Sequence, residues 1–313
     1  MSPRSDTDGD DAAEPKRVVV LGCGYVGTEL GRQLTAAGHD VVGVRRSEEG
    51  LEAMEAAGFD AVCADVTDAA SLEPVPDADW LVFAASSGGR DADAAREVFV
   101  DGQRTALAAF GERDDGPERY VYTSSTGVYG DHGGDWVDEE TEIRPTTEKT
   151  RVLAAAERVA REVPREYGFD GTVARFAGLY GPKRYRLERY LEGPVTEGYL
   201  NMVHRDDAAG AIAYLLERDH GHDGVVLVVD DEPAEKWAFA DWLADECGVE
   251  RPSKRTKAER LDAGDLLEAA RRRILTSKRC SNALLRELGY EFRYPDYRAG
   301  YATAIEQYRR RER

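Results

Sequence analysis

Val18-Val19-Val20-Leu21-Gly22-Cys23-Gly24-Tyr25-Val26-Gly27 is the stretch of sequence that decides the fold of this chain. Its apolar run predicts a buried strand, its three glycines predict a tight turn, and Val26, Leu30 and Leu34 predict an amphipathic helix at the spacing that follows. A strand, a turn and a helix suit a dinucleotide, whose pyrophosphate binds at a helix N-terminus. The alternative is that the glycines only tighten a turn in an α/β sheet.

Each glycine of the turn has its own expected role. Gly22 permits the tight turn, Gly24 lets the backbone approach the phosphates, and Gly27 lets the helix pack close to the strand. The helix is expected to end at Gly38, and a second strand is expected over residues 41–44. This spacing is typical of a βαβ unit.

The end of the second strand indicates which dinucleotide binds. An NAD site usually has Asp or Glu there, to accept hydrogen bonds from the ribose hydroxyls. Arg45 and Arg46 occupy that place in this chain, and guanidinium groups suit the additional phosphate of NADP. We therefore expect NADP as the preferred cofactor, with NAD as the alternative and a solvated arginine loop as the competing interpretation.

The ends of the next two strands supply further cofactor candidates. Asp65 is placed either to accept a hydrogen bond from the adenine amino group or to cap a helix. The small residues Ala84, Ala85 and Ser86 would let the cofactor lie against the backbone, although a flexible loop has the same composition. The predicted cofactor-binding residues are Gly22, Gly24, Tyr25, Val26, Gly27, Arg45, Arg46, Asp65, Val66, Ala84, Ala85 and Ser86.

Composition narrows the class of protein. The net charge of -19, from 61 acidic and 42 basic residues, argues against a nucleic-acid partner, whose phosphates would be repelled. Lysine is scarce among the basic residues, and an acidic surface poor in lysine is typical of a high-salt cytoplasm, where cations screen the carboxylates. No apolar run approaches membrane-spanning length and no signal peptide is recognisable, so we expect a cytoplasmic protein with no membrane partner.

The cysteines and histidines do not predict a metal site. The four cysteines are scattered, without a Cys-x-x-Cys pair, and are expected to be free thiols. The pair His220-Gly-His222 is better explained as an exposed loop than as a ligand set.

The order of the predicted elements indicates an α/β fold with a doubly wound parallel sheet of the Rossmann type and a small C-terminal substrate lobe. Residues 1–15 are expected to form a disordered acidic leader, residues 16–176 the Rossmann domain, and residues 177–313 mainly the lobe, with one strand at about 225–229 returning to the sheet. Beyond the first βαβ unit, strands are predicted over residues 61–63, 80–84, 119–123, 172–176 and 225–229.

Three later motifs carry a family resemblance. They are Tyr120-Val-Tyr-Thr-Ser-Ser-Thr-Gly-Val-Tyr-Gly130, Arg175-Phe-Ala-Gly-Leu-Tyr-Gly-Pro182 and Asn201-Met-Val-His-Arg-Asp-Asp-Ala208. Together with the positions of Asp65 and Asp101, they resemble the extended short-chain dehydrogenase/reductase family, which includes nucleotide-sugar epimerases and dehydratases. The resemblance covers about residues 16–230, and the residues after 278 look like the C-terminal end of an atypical epimerase/dehydratase-like branch.

The resemblance implies a catalytic serine and a Tyr-x-x-x-Lys pair, in which the tyrosine transfers a proton while hydride passes to or from the nicotinamide. The serine corresponds to Ser125, with Ser124 and Thr126 as near alternatives. Lys149 stands at the tyrosine position and Leu153 at the lysine position, and a register shifted by two residues supplies no phenol either.

Three hypotheses follow from the absence of the Tyr-x-x-x-Lys pair. The first is an NADP-dependent oxidoreductase or sugar-nucleotide-modifying enzyme of altered mechanism, in which Lys149 supplies the proton or the charge and Ser125 orients the substrate. Tyr129, Tyr180 or His204 is an alternative acid. The second is a catalytically silent NAD(P)-binding sensor or partner subunit, and the third is a family-shaped scaffold with an unrelated role.

The remaining candidates concern the substrate and the oligomeric state. The substrate is expected to be a small molecule such as a nucleotide sugar. The predicted substrate-binding residues are Thr126, Tyr129, Tyr180, Lys183, Arg184 and His204. Lys183 and Arg184 belong to a basic cluster that suits a diphosphate, or else forms a salt-bridged surface loop. Asp206 or Asp207 is expected to cap the helix that follows. A homodimer is expected through the helices after the fourth and fifth strands, as is common in the family.

Overall fold

The computed structural model describes residues 14–88, 91–262, 264, 271 and 274–311. Most of the expected acidic leader therefore lies outside the described residues. The strands are β1 Arg17–Leu21, β2 Asp40–Arg45, β3 Asp60–Cys63, β4 Trp80–Phe83, β5 Arg119–Ser125, β6 Trp136–Val137, β7 Asp170–Phe176, β8 Gly178–Tyr180, β9 Val195–Thr196, β10 Tyr199–Leu200, β11 Met202–His204, β12 Val225–Val228, β13 Ala234–Glu235, β14 Lys254–Arg255 and β15 Arg279–Cys280.

The helices alternate with these strands through most of the chain. They are α1 Gly27–Ala36, α2 Glu48–Ala56, α3 Ala92–Arg96, α4 Gln103–Gly111, α5 Glu148–Glu166, α6 Leu187–Leu191, α7 Arg205–Glu217, α8 Lys236–Cys247 and α9 Lys257–Asp262, with two later helices at Ala283–Glu287 and Tyr297–Arg311. A π-helical turn, Glu97–Gly102, joins α3 to α4, and 3₁₀ turns form at Ala70–Leu72 and Thr126–Tyr129. None of the described helices is long and apolar enough to cross a membrane.

Seven strands form the central sheet, in the order β12-β7-β5-β4-β1-β2-β3, and every neighbouring pair is parallel. The chain moves outward from β1 to β3 and then returns to place β4 on the other side of β1. A gap between helices opens where the strand order reverses, and ligands of open parallel sheets bind at that point. The sheet therefore places a binding crevice beyond the carboxyl ends of β1 and β4.

Two apolar layers cover the faces of the sheet. Alternate side chains of β1 point to opposite faces, as the pleat requires. Val18 and Val20 belong to the layer that contains α1 and α7, whereas Val19 and Leu21 belong to the layer that contains α4 and α5. Because each of these four side chains is at most 1% exposed, both faces of the strand are fully buried.

A separate apolar cluster lies in the C-terminal part of the chain. Phe239 of α8 packs edge-on against Tyr301 of the last helix, with ring centroids 5.2 Å apart, and both residues are buried. In the same part of the chain, β10 pairs with β13 and β9 pairs with β14.

The doubly wound α/β fold is confirmed, and each of the seven predicted strands is present in the sheet. The strand expected at about 225–229 is β12, which pairs with β7. β5 continues to Ser125, two residues beyond its predicted end, because Ser124 and Ser125 still pair with β7.

The cap predicted for α7 is wrong. His204 is the N-cap residue, and its Nδ1 accepts a hydrogen bond from the amide of Asp206 at 3.2 Å. Asp207 is buried, and its carboxylate accepts hydrogen bonds from the amides of Arg293 and Tyr294 at 2.7 and 2.8 Å. The Asp207 carboxylate, which the local sequence pattern assigns to the cap of α7, therefore binds the C-terminal segment instead.

Candidate functional site

A cavity of about 800 Å³ lies at the carboxyl ends of the central strands. This volume is within the range of small-molecule and cofactor sites. Residues singled out from the sequence that line the cavity are Gly22, Gly24, Tyr25, Val26, Arg45, Arg46, Asp65, Val66, Ala84, Ala85, Ser86, Ser125, Lys149 and Arg184. The fold thus brings the glycine turn, the arginine pair and the candidate catalytic residues to one crevice.

The glycine turn at the start of α1 is held by backbone hydrogen bonds. The amide of Gly22 donates to Val44 at 2.9 Å, and the amide of Gly24 donates to Gly22 at 2.6 Å. Gly22 has a positive φ of 84°, and a Cβ there would lie 2.2 Å from the Cα of Ala85. Position 22 therefore requires glycine both for its backbone conformation and for the close approach of the β4 loop.

Gly24 and Gly27 differ in what surrounds them. A Cβ on Gly24 would make only ordinary van der Waals contacts, the nearest with the Arg45 guanidinium at 3.7 Å, and Gly24 lines the cavity. A Cβ on Gly27 would lie 3.2 Å from Val20, and Gly27 packs α1 against the strand without lining the cavity. These are the environments expected for a glycine that faces a ligand and one that packs a helix.

Arg45 and Arg46 end β2 at the cavity wall, each with a partner from the protein. The Nη1 of Arg45 donates to the carbonyl of Cys23 at 2.8 Å, and the Nη1 of Arg46 donates to Asp65 Oδ2 at 3.0 Å. The other carboxylate oxygen of Asp65 accepts from the amide and the hydroxyl of Thr67, at 3.0 and 2.8 Å. Partial burial raises the pKa of Asp65, but the hydrogen bonds from Thr67 and Arg46 outweigh it and lower the pKa overall.

Two arginine side chains lie close to the ring of Tyr25. The guanidinium carbons of Arg184 and Arg205 lie 4.0 and 5.5 Å from its ring centroid, and its hydroxyl donates to the carbonyl of Pro182 at 3.1 Å. Burial raises the pKa of Tyr25 to about 12, so the phenol stays protonated at neutral pH. Arg184 is the member of the predicted basic cluster that reaches the cavity, whereas Lys183 does not line it.

Ser125 and Lys149 lie at the part of the cavity formed by β5 and α5. The Oγ of Ser125 accepts a hydrogen bond from the amide of Gly127 at 3.1 Å. Because the Oγ is the acceptor in this bond, its own proton remains available for donation. Lys149 belongs to the first turn of α5, and its Nζ lies 5.9 Å from the ring centroid of Phe99. A hydroxyl donor and an ammonium group thus share one cavity.

Tyr129 is buried away from the cavity. Its hydroxyl donates to the carbonyl of Asp138 at 2.5 Å and accepts from Arg175 at 2.8 Å. Arg175 in turn forms a buried ion pair with Glu157, which also accepts a hydrogen bond from Ser124 Oγ at 2.6 Å. Burial raises the pKa of Tyr129 far above its ordinary value, so this phenol is held as a structural donor.

Tyr180 of β8 and His204 of β11 pack against each other, and neither lines the cavity. Tyr180 stacks on Tyr301 with centroids 5.0 Å apart, and His204 lies 3.9 Å from the ring of Tyr294. Thr126, the remaining predicted substrate residue, is buried in the 3₁₀ turn after β5 and does not line the cavity either.

Several lining residues have no recognisable functional signal in the sequence. They are Val44, Ser47, Ala64, Gly88, Val98, Phe99, Thr123, Phe176, Ala177 and Leu179. Ser124, the near alternative to Ser125, and Leu153, at the lysine position of the family motif, also line the cavity. Val98 and Phe99 belong to the π-helical turn, which widens the helix locally and is a feature often found at functional sites. Among the described residues, no group of three or more His, Cys, Asp or Glu side chains is arranged to hold a metal ion.

Comparison with known proteins identifies relatives across this architecture. The model of the NAD dependent epimerase/dehydratase family matches residues 18–229. Protein YeeZ of Escherichia coli (strain K12) is 32% identical over 293 residues, which cover 90% of this chain and 97% of that protein.

Solved structures show the same fold. UDP-glucose 4-epimerase of Thermotoga maritima, determined with UDP-glucose, has a TM-score of 0.77 at 17% identity and covers 95% of this chain and 100% of its own. DesIV, the dTDP-glucose 4,6-dehydratase of Streptomyces venezuelae determined with NAD, has a TM-score of 0.74 at 21% identity, with coverages of 94% and 97%. At these identities the likeness establishes the fold alone.

Proposed function

We propose, from the premise that this chain belongs to the NAD dependent epimerase/dehydratase family, that it binds NADP in preference to NAD. We further propose that it is an oxidoreductase or a sugar-nucleotide-modifying enzyme in which Lys149 serves the proton transfer. The observation that carries the proposal is that the glycine turn, Ser125 and Lys149 line the same cavity.

The residues of the cavity fit a dinucleotide. Gly24 leaves space at the start of α1, where the helix N-terminus favours an anionic pyrophosphate. Ala84 and Ala85 present small side chains along the opposite wall. Arg45 and Arg46 stand at the end of β2, where the additional phosphate of NADP would lie. The residues that would hold the cofactor are thus distributed over the ends of β1, β2 and β4.

The chemistry divides between the cofactor and the chain. When bound, the nicotinamide supplies a hydride acceptor or donor. The Ser125 hydroxyl, oriented by the amide of Gly127, donates a hydrogen bond to the reacting oxygen of the substrate. Lys149 Nζ holds the proton that enters or leaves that oxygen, or stabilises the charge that develops on it. Val98 and Phe99 give the cavity an apolar lining, and Phe99 lies beside Lys149.

A catalytically silent NAD(P)-binding protein is the second candidate function, and one observation favours it. Tyr25 is the tyrosine among the described lining residues, and it lies at the start of α1 with a pKa raised to about 12 by burial. Tyr25 lies far from Ser125 in the sequence, and its raised pKa makes its hydroxyl poorly suited to give up a proton. Such a protein would bind NADP and respond to its redox state without turning over a substrate.

The test begins with equilibrium titrations of the purified protein with NADPH and NADH in multimolar KCl. A cytosolic metabolite extract is then added while the absorbance of the reduced nicotinamide is followed. Tighter binding of NADPH, with a change in absorbance, supports the enzyme. Binding of NADPH without hydride exchange supports the silent protein, and equal or reversed affinities contradict the NADP preference.

A further inference from the structure

The loop between β8 and α6 contacts the glycine turn at the start of α1. The hydroxyl of Tyr25 donates to the carbonyl of Pro182 at 3.1 Å. Gly181 has a positive φ of 132°, and an ideal Cβ there would lie 3.0 Å from the Tyr25 hydroxyl and 3.0 Å from His204 Nε2. Glycine at this position therefore permits the close approach. We call residues 181–186 the strap.

Arg184 brings the positive charge of the strap to the cavity. Its guanidinium carbon lies 4.0 Å from the ring centroid of Tyr25, and its side chain lines the cavity together with Gly24. Lys183 and Arg186, the other basic residues of the strap, do not line it. The strap therefore presents one of its three cations to the turn where the dinucleotide is proposed to bind.

The second arginine beside Tyr25 is already paired with carboxylates. Arg205 Nη2 lies 2.8 Å from Asp206 and 3.3 Å from Glu29. Arg184 forms no ion pair with any residue that the structure describes, and its guanidinium lies over the Tyr25 ring. A cation–π contact uses none of the N–H groups of a guanidinium, so those of Arg184 stay available to an anion.

The backbone on either side of Arg184 is strained. Lys183 and Arg186 have positive φ values of 65° and 54°, in the left-handed region that residues with a side chain rarely adopt. Strain of this kind persists only where the surrounding structure enforces it, and it clusters at active sites and ligand clamps. The carbonyl of Tyr185 accepts from the hydroxyl of Tyr301 at 3.0 Å, which ties the strap to the last helix. The position of Arg184 is thus set by its surroundings.

Position also determines which anionic group of a dinucleotide Arg184 would meet. The additional phosphate of NADP is proposed to lie by Arg46 at the end of β2, and the nicotinamide by Ser125 at the end of β5. The pyrophosphate joins these two halves and would lie on the α1 turn, to which Tyr25 belongs. Because Arg184 lies against Tyr25, the pyrophosphate would be the anionic group nearest to it.

We propose that Arg184 is a cofactor-binding residue that pairs with the pyrophosphate of the dinucleotide and closes the strap over it. A guanidinium can bind two phosphate oxygens at once, which suits this linkage. Arg184 is thereby reassigned from the diphosphate of a substrate to that of the cofactor. The proposal rests on the proposed dinucleotide binding, but on neither the NADP preference nor turnover.

The test measures the affinity of the full chain for NADPH, NADH and adenosine 2′-monophosphate at one KCl concentration. Arg184→Met should weaken both dinucleotides by about tenfold or more, because both contain the pyrophosphate. Adenosine 2′-monophosphate lacks it and should bind as before. Arg186→Met is the matched control, because it removes the same charge from the strap outside the cavity, and it should change none of the three affinities.

Stopped-flow kinetics separate a direct contact from general attraction. A pair formed in the complex predicts that Arg184→Met speeds NADPH dissociation about tenfold and changes association little. A loss confined to the association rate, or an equal loss in Arg186→Met, overturns the proposal. Because Arg184 is exposed, the Tm of Arg184→Met should match that of the wild type, so that unfolding does not account for weaker binding.

The remaining outcomes separate this proposal from the proposed function. Unchanged affinity of Arg184→Met for both dinucleotides overturns the proposal, and weaker binding of UDP alone would return Arg184 to a substrate diphosphate. A loss for NADPH but not for NADH overturns it too, since Arg184 would then bind the additional phosphate. NADH binding as tight as NADPH in the wild type contradicts the NADP preference alone. Absence of binding of either dinucleotide overturns both.

Discussion

Arg175 and Glu157 form a two-pronged ion pair in the interior, between β7 and α5. The Nε of Arg175 donates to Oε1 of Glu157 at 3.0 Å and its Nη2 donates to Oε2 at 2.7 Å. The two side chains are 6% and 5% exposed. Ser124 and Tyr129 complete the network, so polar groups from β5, its following turn, α5 and β7 are joined by hydrogen bonds.

Removing one member of this pair should be strongly destabilising. We expect Arg175→Met to lower the free energy of unfolding by about 3–5 kcal/mol, because it leaves the Glu157 carboxylate buried without its counter-charge. Denaturant unfolding at constant KCl measures this. The double variant Glu157→Leu/Arg175→Met should lose far less, since both charges are gone. Equal losses in the single and double variants would show that packing, and not charge pairing, is responsible.

Two glycines of the α1 turn should separate folding from cofactor binding. Gly22→Ala should lower stability by about 2–4 kcal/mol, because of its positive φ and a clash with the Ala85 backbone. Gly24→Ala should change stability by no more than about 0.5 kcal/mol. It should nevertheless abolish tight NADPH binding, because its methyl group would occupy the space left for the pyrophosphate. NADPH affinity unchanged in Gly24→Ala would argue against a pyrophosphate at this turn.

Arg46 should determine the choice between the two cofactors. Arg46→Ala is expected to weaken NADPH binding by about tenfold or more and to leave NADH binding nearly unchanged. Fluorescence titrations with both cofactors measure the ratio. Arg251→Ala is a suitable control, because this exposed arginine pairs with Asp245 in the C-terminal part. A parallel loss for both cofactors would place Arg46 in general cofactor binding instead.

Lys149 should be needed for turnover but not for cofactor binding. Lys149→Met is expected to lower kcat by at least about 100-fold, the usual contribution of a proton-transferring group. Its NADPH affinity should stay close to that of the wild type. Lys16→Met is the matched control, since Lys16 pairs with Glu118 at the opposite end of the sheet. Full turnover by Lys149→Met would remove this residue from the mechanism.

His204 should make the fold sensitive to mild acid. Burial lowers its pKa from 6.5 to about 4, an effect that Asp206 opposes and that Arg205 and Arg293 reinforce. The unfolded chain therefore binds the proton first, and stability falls as the pH drops from about 6.5 towards 4. The loss attributable to this group is about 3 kcal/mol.

Urea unfolding at several pH values tests this expectation. His204→Asn keeps a residue suited to a helix N-cap but cannot titrate, so its stability should fall less steeply over the same pH range. His222 supplies the contrast. The hydrogen bond that His222 Nδ1 donates to the Asp170 carboxylate raises the pKa of His222, so His222→Asn should make the fall steeper, although exposure keeps this effect small. Identical slopes for the wild type and His204→Asn would contradict the assignment.

The fold could be predicted from the sequence because its signals are local. The apolar run before Gly22 and the glycine spacing that follows specify a strand, a turn and a helix within one short segment. Two later strands, Trp80–Phe83 and Val225–Val228, are also continuous apolar runs, as is usual for buried parallel strands. The sequence predicts one site for the glycine turn, Arg45 and Asp65 because parallel strands end at the same edge of a sheet, and all three line the cavity.

The remaining features of the site depend on contacts between distant parts of the chain. Nothing near Tyr129 in the sequence shows that Arg175 will bind its hydroxyl, so the residue resembles a candidate acid until the fold buries it. The π-helical turn that brings Phe99 to the cavity also lacks a local pattern.

The cap of α5 limits how this site can evolve. Thr147 Oγ1 accepts from the amide of Thr150 at 3.0 Å, and Thr150 Oγ1 accepts from the amide of Thr147 at 2.9 Å. Lys149 lies between the two, so its direction is set by the cap. Inserting one residue between cap and lysine would turn the side chain by about 100° around the helix axis. An insertion or deletion between Thr147 and Lys149 would therefore move the ammonium group away from the cavity, whereas a change before Thr147 would leave the relation between the cap and Lys149 intact.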